Sequence, residues 1–346
     1  MTKRTIGFLL LSILILAFSL GLIVQRQTGS GGDIVKDHQG SSPPSLTSQT
    51  KSEGVVKVQK GTSEKKNYKF LPGKMYRMPT HFGPSPGPRQ GENGKKFANK
   101  DAPKSTSISV SFLTDREQLE KLLPEGFSVG EEPIVTVSAS YGTEIEWLAG
   151  RGYNTLGVNF PAVFNGKEDR AVGDFLLVLW ENLTDPILTG REELGFAKIY
   201  AELPEPKVYQ GETSCMASWL GFRFFDMKLK NMTSVKLDDS PAPAPGQPRR
   251  ELTGLLHYKY IPKTGEWGAA DAAYATLTPY GNSNEVVKEM WQGEGTVQFH
   301  PARWEDMPTQ YTIVNAFAEL KIKEYRGASI VKTVGGKDLG DQRILR

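Results

Sequence analysis

The stretch "GDFLLVLWEN", residues 173–182, restricts the fold more than any other, because positions 175–180 are continuously apolar. A strand with one face in water alternates apolar and polar side chains, whereas a strand covered on both faces is apolar throughout. The run therefore predicts a strand near the centre of a sheet. The segments around it determine which kind of sheet contains that strand.

Short strand-like runs lie on both sides of this stretch. In "STSISVSFLTD", Ile108, Val110 and Phe112 alternate with serines, which predicts a half-buried strand. The other runs with strand character are "EPIVTVSASY" (132–141), "SCMASWLGFRFFDMKLK" (214–230), "LTGLLHYKYI" (252–261), "AYATLT" (273–278), "GTVQFH" (295–300) and "AFAELKIKEY" (316–325). Many short strands in succession favour an antiparallel arrangement.

One short helix is predicted after the first strand. Thr114 and Glu117 have the spacing of a capping box, an apolar leucine stripe follows, and Pro124 ends the segment. Because strands and helices do not alternate regularly along the chain, a parallel α/β sheet is excluded. The sequence predicts an α+β fold that is mostly antiparallel β with few short helices.

The composition excludes several functional classes. The 346 residues include 42 Lys and Arg against 39 Asp and Glu, and the basic residues form no stripe of the kind that binds nucleic acid. Cys215 is the only cysteine, which excludes an intramolecular disulfide and a cysteine-rich metal site. The four histidines lack the spacing of metal ligands, so no metal site is predicted.

The N-terminus is the most apolar part of the chain. Ile6 to Val24 is uncharged and follows a short basic start, which is typical of a single transmembrane helix with the main domain outside the cytoplasm. A signal peptide of a secreted protein is the alternative, although no A-x-A-like cleavage site follows. We therefore expect an anchor or signal at residues 1–24, a flexible linker at 25–70, a folded domain at 71–335 and a C-terminal tail at 336–346.

A lysine interrupts an apolar pattern in "TGREELGFAKIY", residues 189–200. If this segment is extended, Leu194, Phe196 and Lys198 share one face. The lysine is then either structural, paired with a nearby glutamate or reaching to solvent, or functional. A functional lysine in such surroundings has a pKa lowered by desolvation and can attack a carbonyl group to form a Schiff base.

This segment resembles the active-site segment of the acetoacetate decarboxylase family. In that family a Gly-Arg-Glu sequence precedes the lysine that forms an imine with a keto acid, and counting from Gly190, Arg191 and Glu192 puts the lysine at Lys198. The resemblance covers residues 71–335 and includes "LTDREQLEKLLPEGFSV", "EEPIVTV", "FNG", "PTHFGPSPGP" and "TIVNAFAELKI". It implies the family's β-barrel with few short helices, and a homo-oligomer, because family members assemble.

The chain departs from the family pattern at four positions. Ile199 stands where the decarboxylases have a second lysine. Ungapped extension puts the family's pocket arginine at Ser105 and its two pocket glutamates at Ser138 and Thr155. The resemblance therefore implies that the imine-forming group is kept, while the charged groups that assist it differ.

The predicted function is that of a Schiff-base-forming lyase, of the decarboxylase or aldolase/dehydratase type, acting on a small keto acid. The catalytic candidates are Lys198, Arg191 and Glu192, and the substrate-binding candidates are Phe196, Tyr153, Asn154, Glu144 and Glu146. No cofactor is expected, because an imine is itself the electron sink. The alternative is a non-catalytic protein of the same fold that holds an apolar small ligand.

Overall fold

The computed structural model describes residues 68–237 and 252–346. Residues 68–86 belong to one compact unit, and the described residues from Gly87 onward belong to another. The smaller unit contains a 3-10 turn at Thr80–Phe82 and a cluster of aromatic rings. In that cluster the ring of Phe70 lies 5.3 Å from that of Tyr68 and 4.9 Å from that of Tyr76.

The larger unit consists of strands with three short α-helices. The strands are β1 (Lys104–Leu113), β2 (Phe127–Val129), β3 (Ile134–Thr143), β4 (Tyr153–Asn165), β5 (Arg170–Glu181), β6 (Lys198–Tyr200), β7 (Lys207–Tyr209), β8 (Glu212–Trp219), β9 (Phe222–Ser234), β10 (Leu252–Pro262), β11 (Ala270–Pro279), β12 (Val286–Phe299), β13 (Glu324–Val334) and β14 (Arg343–Ile344). The helices are α1 (Arg116–Glu120), α2 (Thr184–Thr189) and α3 (Tyr311–Ala318). The predicted α+β class, mostly antiparallel with few short helices, is confirmed.

The strands form one sheet in the order β14-β11-β10-β5-β4-β3-β1-β13-β12-β9-β8-β7, with β2 on β4 and β6 on β5. Antiparallel pairing dominates, but β5 pairs in parallel with both β10 and β6. The predicted closure into a barrel is wrong for the described strands, because the hydrogen-bonded path ends at β14 on one side and β7 on the other. Both end strands are only two or three residues long.

Strand β5 is covered on both faces, as its apolar run predicts. Phe175, Val178 and Trp180 belong to the main core, whereas Leu176 and Leu179 belong to a second cluster. An irregularity in the pairing with β4 shifts the register and breaks the strict alternation between these two sets. The second cluster also contains Leu194, Phe196 and Leu255, with Tyr280 and Leu339 packed against it.

Three local predictions are wrong. Thr114 does not cap α1, since the N-cap is Asp115 and the buried Thr114 hydroxyl has no partner among the described residues. Residues 316–325 are not one strand, because α3 occupies their beginning and β13 starts only at Glu324. Within 189–200, only Lys198–Tyr200 is a strand. In the last two cases an amphipathic or apolar run was compatible with either a helix or a strand.

The membrane prediction also requires correction. No helix within residues 68–237 and 252–346 is both long and apolar enough to cross a membrane. The predicted location in a membrane is therefore wrong for the described residues. The predicted anchor at 1–24, most of the predicted linker and the predicted loop at 238–250 lie outside the described residues.

Residues 336–346, which the sequence analysis sets apart as a tail, include a 3-10 turn at Leu339–Asp341 and strand β14. Strand β14 pairs with β11, and Leu345 beside it is buried. This segment also contributes side chains to the cavity described below.

The buried carboxyl group of Glu285 gives the fold a testable pH dependence. Burial raises the pKa of Glu285 to about 9, although a hydrogen bond from Thr333 acts in the opposite direction. The folded state therefore retains a proton that the unfolded chain releases near pH 4. The free energy of unfolding must then fall as the pH rises between about 4 and about 9.

We expect Glu285→Gln to remove this dependence, because the amide does not ionise. Between pH 5 and 8 the wild-type free energy of unfolding should fall by as much as about 4 kcal/mol more than that of the variant. Urea denaturation at both pH values measures the difference. Glu294→Gln, a change at an exposed carboxylate, is the control, and parallel pH profiles for wild type and Glu285→Gln would contradict the expectation.

Candidate functional site

A cavity of about 180 Å³ lies at the end of β5 and β6. Its apolar wall comes mainly from the second cluster, with Leu176, Leu179, Leu194, Phe196, Leu255 and Leu339 as lining residues. Its polar lining comes from Ser105, Ser140, Tyr153, Thr155, Glu181, Thr189 and Lys198, and its charged rim from Arg89, Glu193, Lys337 and Asp338. This volume suits a molecule smaller than those that fill drug-sized pockets.

The turn before Lys198 directs the lysine into the cavity. Helix α2 continues into a π-helical turn at Gly190–Leu194, and Gly195, with a φ of 86°, ends it. The backbone N–H groups of Gly195 and Phe196 both donate to the carbonyl oxygen of Gly190, at 2.9 and 3.0 Å. Isolated π-helical turns occur frequently at functional sites.

The amine of Lys198 is buried and contacts two oxygen atoms of the protein. The residue is 7% exposed, and its Nζ lies 2.8 Å from Oε1 of Glu181 and donates to the carbonyl oxygen of Pro186 at 3.1 Å. The same nitrogen is 5.4 Å from the centre of the Phe196 ring. Lys198 therefore neither reaches solvent nor pairs with the glutamates of its own segment.

Glu181 faces Lys198 because β5 and β6 run in parallel. Leu179 is the register partner of Lys198, and Glu181 is two residues further along β5, so all three side chains leave the sheet on one side. Burial raises the pKa of Glu181, although the charge of Lys198 acts in the opposite direction. This carboxyl group therefore binds a proton more readily than an exposed glutamate does.

Two further groups near the pair have a defined protonation state. Burial, and secondarily the carboxyl group of Glu181, raise the pKa of Tyr153, so its phenol keeps the proton. Burial, and secondarily the charge of Lys198, lower the pKa of His257 to about 3, so the imidazole is neutral. The Phe196 and His257 rings stack, with centres 4.0 Å apart. Tyr153 can therefore donate a hydrogen bond into the cavity. The neutral His257 packs against the Phe196 ring.

A hydrogen-bond network that begins on β10 and β11 holds the π-helical turn at Gly190–Leu194 in place. His257 Nε2 lies 2.9 Å from the hydroxyl of Thr278, which in turn donates to Gln342 at 2.7 Å. The amide nitrogen of Gln342 donates to the carbonyl oxygen of Leu194 at 2.8 Å. Because the Thr278 proton is used toward Gln342, the hydroxyl accepts from His257, which sets the Nε2–H tautomer.

Arg89 and Lys337 are the other cations at the cavity. Arg89 contacts Glu193 at 3.4 Å, Asp338 at 3.6 Å and the carbonyl oxygen of Leu339 at 3.2 Å. Lys337 donates to the carbonyl oxygens of Pro279 and Gly281 and to Asp341, each at 2.7 Å. Each cation is therefore held by an acidic partner within the protein.

Three predicted site residues, Lys198, Phe196 and Tyr153, line the cavity together. Arg191 is close but points to the backbone, since it donates to the carbonyl oxygen of Lys198 at 2.9 Å. Glu192 is not among the lining residues, and its carbonyl oxygen accepts from Lys259 at 2.6 Å.

The remaining predicted residues lie away from the cavity lining. Glu144 is exposed and pairs with Lys104 at 2.7 Å, and Glu146 accepts from the backbone of Asn99 at 3.0 Å. Asn154 is buried on the side of β4 opposite Tyr153, where it donates to the carbonyl oxygen of Leu203 at 2.8 Å. These three side chains do not approach Lys198.

The structure also locates the four positions that depart from the family pattern. Ser105 and Thr155 line the cavity, whereas Ser138 is buried outside the lining and bonds Ser109 at 2.6 Å. Ile199 packs against the main core, on the opposite side of β6 from Lys198. Thr155 is the register partner of Glu181, so a carboxyl group lies on the strand next to the position where the resemblance predicts one.

Sequence reasoning missed Glu181, Arg89, Lys337 and Thr189. Glu181 had a detectable signal, because it is a charged residue that directly follows the apolar run of β5. Thr189 has a buried hydroxyl without a partner among the described residues, but one polar residue in a helix gives no such signal. Arg89 and Lys337 are brought to the cavity from the two ends of the domain, which no local pattern predicts.

Gly190 provides a test of how the lysine is positioned. A Cβ atom there would lie 2.4 Å from Cδ and 2.5 Å from Cε of Lys198, although the backbone of Gly190 is helical and accepts alanine. We expect Gly190→Ala to keep the melting temperature within a few degrees and to lower any Lys198-dependent activity by about 10-fold or more.

Gly91→Ala is the matched control, because its Cβ would meet only ordinary contacts at 3.6 Å and beyond. Thermal unfolding and the exchange assay described below measure both effects. Unchanged activity in Gly190→Ala would show that the close approach of the lysine to this glycine is not required.

No group of three or more metal-ligating side chains occurs in the described part of the chain.

The chain is similar in sequence to known proteins. The family model "Acetoacetate decarboxylase (ADC)" matches residues 77–339. Acetoacetate decarboxylase of Clostridium botulinum (strain Eklund 17B / Type B) is 27% identical over 101 residues. That match covers 28% of this chain and 39% of the relative, so it spans less than half of the relative's length.

Solved structures are similar in fold. One acetoacetate decarboxylase structure has a TM-score of 0.51 at 17% identity and covers 70% of this chain and 88% of its own. Acetoacetate decarboxylase from Legionella pneumophila subsp. pneumophila str. Philadelphia 1 has a TM-score of 0.50 at 17% identity, with coverage of 73% and 91%. From the match over residues 77–339, the chain belongs to the acetoacetate decarboxylase family.

Proposed function

We propose that this protein is a lyase that forms an imine between Lys198 and a small carbonyl compound, with Glu181 as its acid–base partner. One observation carries the proposal: a buried lysine amine lies 2.8 Å from a buried carboxyl group at a small cavity with an apolar wall. A nucleophile next to a proton acceptor is the arrangement that amine attack on a carbonyl group requires.

In the first step, Nζ of Lys198 loses a proton and bonds to the carbonyl carbon. Glu181 is in position to take that proton, because its Oε1 contacts Nζ directly. After the C–N bond forms, the nitrogen releases a second proton, and the two protons that it has lost pass to the carbonyl oxygen, one of them through Glu181. The oxygen then leaves as water, and a protonated C=N bond remains. Tyr153, whose phenol keeps its proton, can donate to the oxygen as negative charge develops on it.

In the second step, the protonated imine withdraws electrons from a bond at the neighbouring α carbon. That bond breaks, the electron pair forms an enamine, and a proton is later added at the α carbon. Glu181 supports this exchange, because burial raises the pKa of its carboxyl group above that of an exposed glutamate, so that it holds a proton more readily. Water finally hydrolyses the imine and releases Lys198.

This proposal is tested by hydrogen exchange at the α carbon, which needs no knowledge of the natural substrate. The full-length chain is incubated in D₂O with 2-pentanone, and separately with acetoacetate and pyruvate. Incorporation of deuterium next to the carbonyl group, followed by NMR, is expected with at least one of these compounds. No exchange above the buffer background with any compound of the panel would overturn the proposal.

The apolar wall of the cavity favours one alternative, a protein that binds an apolar ligand without reaction. In that case a ligand should copurify, and Lys198→Ala should leave its affinity unchanged. The buried Lys198–Glu181 pair argues against this alternative, because an ion pair adds a desolvation cost that an apolar binding site does not require.

A further inference from the structure

The charges around the cavity bear on the substrate class, and this step rests on the proposed imine-forming function. A keto acid brings a carboxylate, which needs a cation or several hydrogen-bond donors when it leaves water. Three cations line the cavity: Arg89, Lys198 and Lys337. Whether these cations can receive a substrate carboxylate depends on the acidic groups of the protein that already contact them.

Each of the three cations already has an acidic partner within the protein. Lys198 pairs with Glu181, and Lys337 uses its three N–H bonds on two carbonyl oxygens and Asp341. Arg89 lies between Glu193 and Asp338, and both of these carboxylates also line the cavity. The exposed Lys96 also lies 3.3 Å from Asp338.

A substrate carboxylate near Arg89 would therefore meet the like charges of Glu193 and Asp338, which already contact this cation. Like-charge contacts in a partly buried site disfavour binding strongly. An uncharged ketone or aldehyde is not repelled by these carboxylates, and its alkyl chain can contact the leucine wall.

We propose that Glu193 and Asp338 determine specificity by occupying Arg89, so that the cavity selects an uncharged carbonyl compound over a keto acid. The reaction then breaks a bond at the α carbon other than a bond to a carboxylate. Arg89 keeps a structural role, since it ties the segment after Gly87 to the π-helical turn and to Leu339.

Reductive trapping compares the two substrate classes directly. The full-length chain is incubated at pH 7.5 with equal concentrations of 2-pentanone or acetoacetate, which have similar shapes, and borohydride reduces the C=N bond to a stable secondary amine. Mass spectrometry measures the adduct, and with acetoacetate the adducts formed before and after loss of CO₂ are summed. We expect at least about tenfold more adduct from 2-pentanone in the wild type.

Three variants test whether these two carboxylates cause the preference for 2-pentanone: Glu193→Gln, Asp338→Asn and the double variant. Each should shift the ratio of acetoacetate to 2-pentanone adduct toward acetoacetate, and the double variant should do so by about tenfold or more. Glu294→Gln, an equal change of net charge at an exposed pair remote in the sheet, should leave the ratio as in the wild type. If the double variant does not fold, the adduct ratios of the single variants and of the wild type still test the role of Glu193 and Asp338.

A wild type that traps acetoacetate as well as 2-pentanone overturns this inference and leaves the imine function intact. A preference for 2-pentanone that does not change in the variants overturns the role of Glu193 and Asp338. If neither compound forms an adduct, the proposed function fails and this inference fails with it.

Discussion

Replacement of Lys198 by alanine should abolish α-hydrogen exchange and reductive trapping, with a loss of about 10³-fold or more. The reason is chemical, because without the amine no C=N bond forms and the α carbon has no electron sink. The variant is expected to fold, since the leucine wall stays intact and the carboxyl group of Glu181, whose pKa is raised by burial, can hold a proton once its partner is removed. The exchange assay and circular dichroism measure the two effects.

Two further lysine variants separate imine chemistry from charge. Lys198→Arg keeps a cation that can pair with Glu181 but cannot form an imine, so it should be as inactive as Lys198→Ala. Lys207→Ala removes an exposed lysine on β7 and should behave as the wild type. Substantial activity in Lys198→Arg would mean that Lys198 acts through its charge and not as a nucleophile.

Replacement of Glu181 by glutamine should lower α-hydrogen exchange by about 10²- to 10⁴-fold, the range expected for loss of an acid–base group. Adduct formation should be slowed but still occur on long incubation, because the amine remains. The ratio of exchange to trapping should therefore fall, which a merely structural role of Glu181 would not produce. Parallel exchange and trapping assays measure this ratio.

Glu285→Gln is the matched control for this variant, since it also removes a buried carboxyl group but lies outside the cavity lining. A second test uses Glu181→Ala, in which added formate should restore part of the exchange by filling the space of the missing carboxylate. Equal losses of exchange and trapping in Glu181→Gln, without rescue by formate in Glu181→Ala, would assign Glu181 a structural role only.

The strands could be predicted wherever burial follows a simple period. The continuous apolar run of β5 predicted a central strand, and it indeed lies between β4 and β10. The alternation in β1 predicted the strand but not its burial, because the serine face is buried as well. Ser107, Ser109 and Ser111 bond to hydroxyl groups of β3, so a polar face need not be a solvent face.

The predictions were wrong where one pattern suits two structures. The segment at 316–325 is apolar at spacings that fit either a helix or a strand, and tertiary packing makes its start helical. In 189–200 the π-helical turn ends at Gly195, which lies close to Lys259 of the distant strand β10. Local propensity contains no information about such contacts.

The candidate site was predictable only in part. The apolar neighbours of Lys198 identified the lysine, and the resemblance added the expected imine chemistry. The acid partner was sought at Glu192, in the lysine's own segment, and at Glu144 and Glu146, from the resemblance, whereas the carboxyl group in contact with Lys198 is on the parallel neighbour strand. Pairing between β5 and β6 is a property of the fold, so the sequence could mark Glu181 as a charge after an apolar run but could not place it beside Lys198.

The central claim, that Lys198 is an imine-forming nucleophile, is tested most directly by mapping the reduced adduct. The full-length chain is treated with 2-pentanone and borohydride, digested, and sequenced by tandem mass spectrometry. The account predicts one predominant modified lysine, Lys198, and no modification of the segment 189–200 in Lys198→Arg. Adducts spread over exposed lysines, or a wild-type Lys198 that remains unmodified, would contradict it.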